Sequence, residues 1–247
     1  MAIILGDVFT SLSGPENESE NEFIQKLLRG EIEITLPTYF SVGRNELPKP
    51  IKDILEGREG KDRGGEVCNN LFFLGRKGVL VTSEGVRIVV LGGREGSGEV
   101  KEKEGEGEGE GEEGEGDTTK PWYTTQEASA LKGANSADIL VTYDWPENVD
   151  RNSKIPVPHV IEGGLPSQSR AVRELARRLR PKYHFIVGGE VFWEREPYSN
   201  EVLGKERELM ASAGARVGVG ATRVIALANW GNKGKAKVRL AIPLTRF

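Results

Sequence analysis

The chain has 247 residues, which suffices for one large domain or two small ones. Its formal charge of −4 is unevenly distributed: residues 95–117 hold eleven acidic side chains and two lysines, and the remainder carries 32 basic against 27 acidic residues. The hydrophobic content of 37% excludes a wholly disordered chain, and no run of 18 apolar residues is present to span a membrane. The single cysteine excludes an internal disulfide and suits a reducing compartment.

The predicted elements alternate between strands and helices. Short apolar runs predict strands over residues 2–5, 38–42, 70–74, 79–82, 86–91, 138–142, 183–187 and 191–193, and a terminal hairpin formed by 222–228 and 237–243. Helical spacing of apolar residues predicts helices over 22–29, 51–56, 125–131 and 167–180, with a polar loop over 11–21 before the first. This order predicts an α/β sandwich with a mixed sheet.

The segment 95–119 interrupts this pattern with an acidic Gly/Glu tract. Alternating glycine and glutamate offers no apolar face and repels itself, so we predict a disordered insert within one domain that spans residues 1–247. A bland solvated insertion is one interpretation. The other is an acidic arm that imitates nucleic acid on a basic surface.

Small polar turns follow three predicted strands. They are Gly6-Asp7, the segment 43–46 that reads GRNE, and the segment 188–190 that reads GGE. Open α/β sheets place their ligands at strand ends, and glycine allows a close backbone approach there. Asp and Asn offer oxygen ligands for a hard cation. Each turn is a weak signal alone, and their order along the chain strengthens it.

These turns, with their flanking strands, resemble a known family. Gly-Asp followed by a Gly-x-Asn-Glu-like turn is similar to the calcineurin-like metallophosphoesterases. A closer resemblance is to the amino-terminal domain of the CwfJ-type splicing factors, and it covers most of the chain outside the acidic insert. The matching stretches are ILGDVF (4–9), PTYFSVGRNE (37–46), NNLFFLGRKGV (69–79), ADILVTYDWPENV (137–149), RPKYHFIVGGEVFWEREPYSN (180–200) and TRVIALANWGNKGK (222–235).

The resemblance implies a calcineurin-like metallophosphoesterase-type sandwich with mixed sheets. Family members have a strand and a helix before the Gly-Asp strand, and they continue into carboxy-terminal domains. We therefore expect this chain to be a fragment in which the family's first strand is missing.

The resemblance also implies a degenerate metal site. Asp7 matches the bridging aspartate and Asn45 the ligand asparagine, with Glu46 beside it, whereas Tyr143 stands where a histidine is expected. The chain has only two histidines, too few for the family's imidazole ligands. Of these, His184 is predicted to be a hydrogen-bonded core residue and His159 a loop residue. We predict a vestigial site with no catalytic residue, no bound metal and no cofactor.

Basic and aromatic side chains define a second candidate site. Arginines recur every three or four residues along the helix predicted over 167–180, on the face opposite its apolar residues. This pattern fits either a solvated face or a surface that contacts phosphates. The tryptophans near strand ends either pack in the core or, if exposed, stack on bases. The predicted partner or RNA contacts are Arg173, Arg177, Arg180, Lys182, Arg195 and Tyr198.

The resemblance implies a nuclear, non-catalytic binding domain in spliceosome disassembly and intron-lariat turnover. The lariat debranching enzyme, spliceosome components and intron-lariat RNA are the expected partners, and no membrane association is expected. One alternative is a weak metal-dependent nuclease or phosphodiesterase that uses Asp7, Asn45 and Glu46. A third reading is a domain that only stabilises the rest of a longer protein.

Overall fold

The structure is a computed structural model, and it describes residues 1–9, 18–57, 65–96, 118–158, 167–187, 189, 191–200, 220–232 and 235–241. The chain divides into two compact units. Unit 1 comprises Met1–Gly78 and Val90–Ala128, and unit 2 comprises Val79–Val89 and Ser129–Phe247. The single domain over residues 1–247 stays a prediction. Most of the acidic insert predicted over 95–119 lies outside the described residues, as do His159 and most of the segment 188–190.

The elements follow one another as mixed α and β structure. The strands are β1 Ala2–Ile4, β2 Thr38–Phe40, β3 Gly65–Cys68, β4 Leu71–Phe73, β5 Lys77–Val81, β6 Arg87–Leu91, β7 Arg94–Glu95, β8 Trp122–Tyr123, β9 Ile139–Thr142, β10 Trp145–Pro146, β11 Gln168–Ser169, β12 Tyr183–Val187, β13 Trp193–Glu194, β14 Tyr198–Ser199 and β15 Ala221–Leu227. The helices are α1 Glu18–Leu28, α2 Lys49–Glu56, α3 Thr125–Ala130 and α4 Arg170–Leu179, with a 3-10 helix over Leu131–Ala134.

Unit 1 contains a four-stranded sheet in the order β1-β2-β4-β3. Strand β2 is parallel to both β1 and β4, and β3 is antiparallel to β4. The core beside this sheet includes Ile24 and Leu27, which lie on the buried face of α1. Phe23 of the same helix is half exposed. Phe40 of β2 contacts Phe9 edge-on, with the ring centroids 5.8 Å apart.

The other large sheet has seven strands in the order β13-β15-β12-β9-β6-β5, with β14 also paired to β15. Strand β12 is parallel to β9 and β15, whereas β13 and β14 are antiparallel to β15. Helix α4 buries its apolar face, with Val172 and Leu175 fully buried. Ser169 caps this helix, because its hydroxyl accepts a hydrogen bond from the backbone N–H of Val172.

The mixed α/β class with mixed sheets is confirmed, whereas the calcineurin-like type stays a prediction. The predicted terminal hairpin is wrong, because the described residues 235–241 contain no strand. Strand β15 already pairs with β12 on one edge and with β13 and β14 on the other. Ile4, at the end of the first strand, is exposed. No helix among the described residues is long and apolar enough to cross a membrane.

Candidate functional site

The Asp7 turn, formed by residues 6–7 and 43–46, lies in unit 1 after the parallel strands β1 and β2. The backbone N–H of Asn45 donates a 2.7 Å hydrogen bond to Oδ1 of Asp7. Gly43 makes this approach possible: a Cβ atom at that position would lie 2.5 Å from both N and Oδ1 of Asp7. The sequence therefore needs glycine at this position for the two strand ends to meet.

The electrostatics of the Asp7 turn are mixed. Burial raises the pKa of the Asp7 carboxyl above its ordinary value. The backbone N–H groups of Asn45 and Arg44 oppose this shift, as do the charges of Arg44 and Arg94. The carboxylate thus accepts hydrogen bonds from the neighbouring turn, which is the behaviour of a group that fixes loop geometry.

The residues of the predicted vestigial site belong to both units. Asp7 and Asn45 lie together, but Glu46 pairs with Lys52, whose Nζ is 2.6 Å from the Glu46 carboxylate. Tyr143 follows β9 and belongs to unit 2. Within the described part of the chain, no three His, Cys, Asp or Glu side chains are grouped as a metal site requires. The Asp7 turn offers two carboxylates, Asp7 and the Glu46 that pairs with Lys52, and these do not form such a group with a third ligand among the described residues.

A second feature, here called the basic cleft, lies entirely within unit 2 and has a volume of about 350 Å³. Its walls come from the turn after β10, one face of α4 and the segment between β13 and β14. The lining residues are Pro146, Glu147, Asn148, Val149, Arg151, Asn152, Arg173, Ala176, Arg177, Arg195 and Tyr198. Four arginines against one glutamate give the cleft a formal charge of +3, which favours an anionic ligand.

Two of these arginines are held in place by neighbours. Nη1 of Arg173 lies 2.7 Å from the carboxylate of Glu147. The guanidinium of Arg195 lies over the ring of Tyr198, 4.5 Å from its centroid, and donates a 3.1 Å hydrogen bond to the carbonyl of Arg151. Such contacts fix the orientation of the guanidinium groups, which reduces the ordering required when a ligand binds.

Glu196 fastens the loop that forms one wall of the cleft. Its carboxylate accepts hydrogen bonds from the backbone N–H of Lys154, at 2.6 Å, and from the hydroxyl of Ser153, at 2.8 Å. These two donors hold the pKa of Glu196 at about 2, well below its usual range. The indole N–H of Trp193 adds a hydrogen bond to the carbonyl of Ile155 at 3.1 Å. These hydrogen bonds tie the wall to β13 and the residues that follow it.

An aromatic layer lies behind the cleft. Trp145 and Trp193 are buried and stack with their ring centroids 5.5 Å apart and an interplanar angle of 15°. Tyr198 packs against the cluster that contains both tryptophans. The prediction of core packing is thus confirmed for these two tryptophans, whereas Trp230 is 87% exposed.

His184 is a core residue, as predicted. It is fully buried on β12, and its Nε2 lies 2.9 Å from Oγ1 of Thr142. The Thr142 hydroxyl donates to the carbonyl of Asp144, so Nε2 of His184 is the donor of this pair. Its buried Nδ1 has no hydrogen-bond partner among the described residues. Burial lowers the pKa of His184 to about 3, so the ring is neutral near pH 7.

The cleft unites four of the six predicted contact residues, namely Arg173, Arg177, Arg195 and Tyr198. Arg180 and Lys182 do not line it. Arg180 ends α4 in a left-handed conformation with φ of 50°, and Nζ of Lys182 lies 3.0 Å from the Asp138 carboxylate. The prediction missed Glu147 and Arg151, which no local motif marks as functional.

Fold and cleft together define a mixed α/β protein with an arginine-lined, anion-attracting pocket. Among known proteins, CWF19-like protein 1 of Mus musculus is 34% identical over 188 residues, covering 75% of this chain and 30% of the relative. CWF19-like protein mug161 of Schizosaccharomyces pombe is 29% identical over 244 residues, covering 98% of this chain and 37% of the relative. The chain belongs to this family, the CWF19-like or CwfJ-type splicing factors.

The chain spans about a third of the length of these curated relatives. No protein-family profile matches it. Among solved structures, TT1561 of Thermus thermophilus aligns with a TM-score of 0.42 and 14% identity over 92% of this chain and 76% of that chain. That likeness is too low to assign the fold further.

Proposed function

We propose that this chain is a non-catalytic binding domain of a splicing-related factor that acts in the nucleus, in spliceosome disassembly and intron-lariat turnover. Its fold is a degenerate metallophosphoesterase-type sandwich. It contacts intron-lariat RNA and modulates the lariat debranching enzyme. Family membership supports the splicing context, and the shortage of histidines in the sequence supports the absence of catalysis.

The basic cleft is the observation that carries this proposal. Arginines that are far apart in the sequence converge there, and guanidinium groups match phosphate oxygens in charge and geometry. Contacts of this kind bind the phosphate backbone with little regard to sequence and weaken as salt increases. Sequence-tolerant and reversible binding suits a domain that contacts introns of many different sequences.

A charge reversal in the cleft tests the proposal. Arg177→Glu should weaken binding of a labelled single-stranded RNA at least about tenfold, because one charge pair near 4 Å contributes about 1 kcal/mol in water and reversal changes two units. Arg178→Glu is the matched control, since Arg178 adjoins Arg177 on α4, is also exposed and does not line the cleft. Fluorescence anisotropy over a salt series measures both variants. Equal effects would contradict a role for the cleft.

Retention of the debranching enzyme gives a second readout. Immobilised wild-type chain should retain the purified enzyme, the Asp7→Asn variant should retain it equally, and Arg177→Glu should retain less. Loss with Asp7→Asn but not with Arg177→Glu would place the contact at the Asp7 turn instead.

A metal-dependent nuclease is the alternative function. The contact of Asp7 with the backbone of Asn45 favours this reading, because it places a carboxylate beside a second polar residue at two parallel strand ends. It predicts turnover of branched RNA in the presence of Mn²⁺ that Asp7→Asn abolishes. The binding-domain proposal predicts no turnover above the buffer control in either protein.

A further inference from the structure

The basic cleft contains its own anion. Glu147 is the one acidic residue that lines it, and its carboxylate lies 2.7 Å from Nη1 of Arg173. Both side chains remain accessible, at 39% for Glu147 and 32% for Arg173. The contact atom itself, Oε2 of Glu147, is buried and makes no hydrogen bond among the described residues, so the pair combines partial exposure with an incompletely satisfied carboxylate. The pair is therefore open to competition from a second anion.

Some N–H donors of the cleft arginines make no hydrogen bond among the described residues. Nε of Arg173 and Nε of Arg195 are buried and have no hydrogen-bond partner within the described ranges. Arg177 lies one helical turn beyond Arg173 on α4 and is exposed to solvent. Buried N–H donors without acceptors are unfavourable, so a group that brings several oxygens to the cleft gains more than Glu147 alone supplies.

The size of the cleft limits what enters. A volume of about 350 Å³ is at the low end of the range for small-molecule sites. A volume of this size suits a group no larger than about one nucleotide. A phosphate group presents several acceptor oxygens to arginine forks at once.

We propose that Glu147 is an internal counter-anion of the cleft, which a phosphate group of single-stranded RNA displaces from Arg173. This inference rests on the proposed RNA-binding function and assigns the ligand chemistry and a residue that limits affinity. Without ligand, Glu147 neutralises Arg173 and keeps α4 and the turn after β10 joined. With RNA bound, the carboxylate moves aside and the phosphate takes its place among the guanidinium groups.

Removing the negative charge of Glu147 tests the proposal. Glu147→Gln should tighten binding of a ten-nucleotide oligouridylate about three- to tenfold, because one repulsive unit charge near the phosphate disappears. Glu174→Gln is the matched control. Glu174 is also paired with arginine, at 3.2 Å from Nε of Arg170, but it does not line the cleft, so it should change the affinity less than twofold.

The measurement is fluorescence anisotropy with two oligouridylates, one with a 5′-phosphate and one with a 5′-hydroxyl. Tightening on both identifies internal phosphodiesters as the displacing groups, and tightening on the phosphorylated one alone identifies the terminal phosphate. An octaglutamate peptide that binds as tightly as RNA would overturn the assignment to RNA.

The outcomes separate this inference from the proposed function. If Glu147→Gln leaves the affinity unchanged or weaker while Arg177→Glu still weakens binding about tenfold or more, the counter-anion role is overturned and the cleft remains the RNA site. If Arg177→Glu and Arg178→Glu behave alike, the proposed function itself fails. Thermal melts verify folding of each variant. Should Glu147→Gln not fold, Glu147→Asp withdraws the carboxylate from Arg173 and should tighten binding to a smaller extent, whereas unchanged binding would overturn the role.

Discussion

The Asp7 turn and the basic cleft differ in where their polar groups are directed. At the turn, the carboxylate of Asp7 accepts a backbone N–H from Asn45, and Glu46 pairs with Lys52, so the polar groups satisfy one another. In the cleft, four arginines face a single carboxylate. The first arrangement stabilises a loop, and the second leaves positive charge available to a ligand.

This difference separates polar groups that satisfy one another from charged groups that remain available. The glycine and aspartate of the turn lie where two strand ends approach closely, which is a requirement of folding. Residues of the cleft satisfy no such requirement as a set. Substitutions at the turn should therefore change stability, whereas substitutions in the cleft should change binding.

Acidification should have the largest effect on stability, and it acts through His184 in unit 2, the unit that contains the cleft. The pKa of His184 is about 3 in the folded chain against an ordinary 6.5, so the unfolded chain binds the extra proton between those pH values. The free energy of unfolding should thus fall by about 1.4 kcal/mol per pH unit on acidification through that range. His184→Gln should flatten this slope in urea unfolding followed by tryptophan fluorescence. A slope equal to that of wild type would show that His184 is not its source.

Gly43→Ala should have the next largest effect, and it tests the Asp7 turn. The new Cβ would lie 2.5 Å from two atoms of Asp7 and 2.6 Å from the carbonyl carbon of Gly6, which forces the backbone apart. We expect a loss of about 3 kcal/mol in the free energy of unfolding. Gly133→Ala is the control, because no heavy atom lies within 4 Å of a Cβ there. Equal stability of the two variants in urea titrations would contradict the close packing.

Glu196→Gln should have the smallest effect, and it tests the ordered wall of the cleft. The folded-state pKa of about 2 lies below the ordinary 4.5, so the carboxylate stabilises the fold above pH 4.5 and this contribution is lost as the pH falls towards 2. The variant should melt below wild type at pH 7 and converge with it near pH 2. Glu194→Gln, an exposed neighbour, should melt like wild type throughout. A difference that persists undiminished at pH 2 would contradict this assignment.

Much of the fold was predictable from local pattern. The apolar runs of β9 and β12 and the capped helix α4 appear nearly where the sequence places them, because burial and capping are properties of neighbouring residues. Strand β3 was missed, since GEVC contains little apolar sequence and depends on pairing with β4. The prediction of a terminal hairpin was wrong because strand propensity does not show which strands pair. Both edges of β15 are already occupied, by β12 on one side and by β13 and β14 on the other.

The candidate sites were predictable to a lesser degree. Helical spacing places Arg173 and Arg177 on one face, and strand order brings Asp7 towards Asn45. Nothing local indicates that Glu147 meets Arg173, because that contact depends on how the turn after β10 packs against α4 within unit 2. A sequence pattern can predict a charged helix face, but a pocket requires distant segments to come together, and that depends on tertiary packing.

The hydrogen bonds that Glu196 accepts from residues 153 and 154 bear on the kinetics of ligand binding. Because two hydrogen bonds tie these residues to Glu196, we expect ligand association to need no slow closing step. The on-rate is then set by diffusional encounter steered by the charge of the cleft, and it falls as ionic strength rises. On the proposed RNA-binding function, RNAs that reach the cleft equally fast should differ in how long each one stays bound.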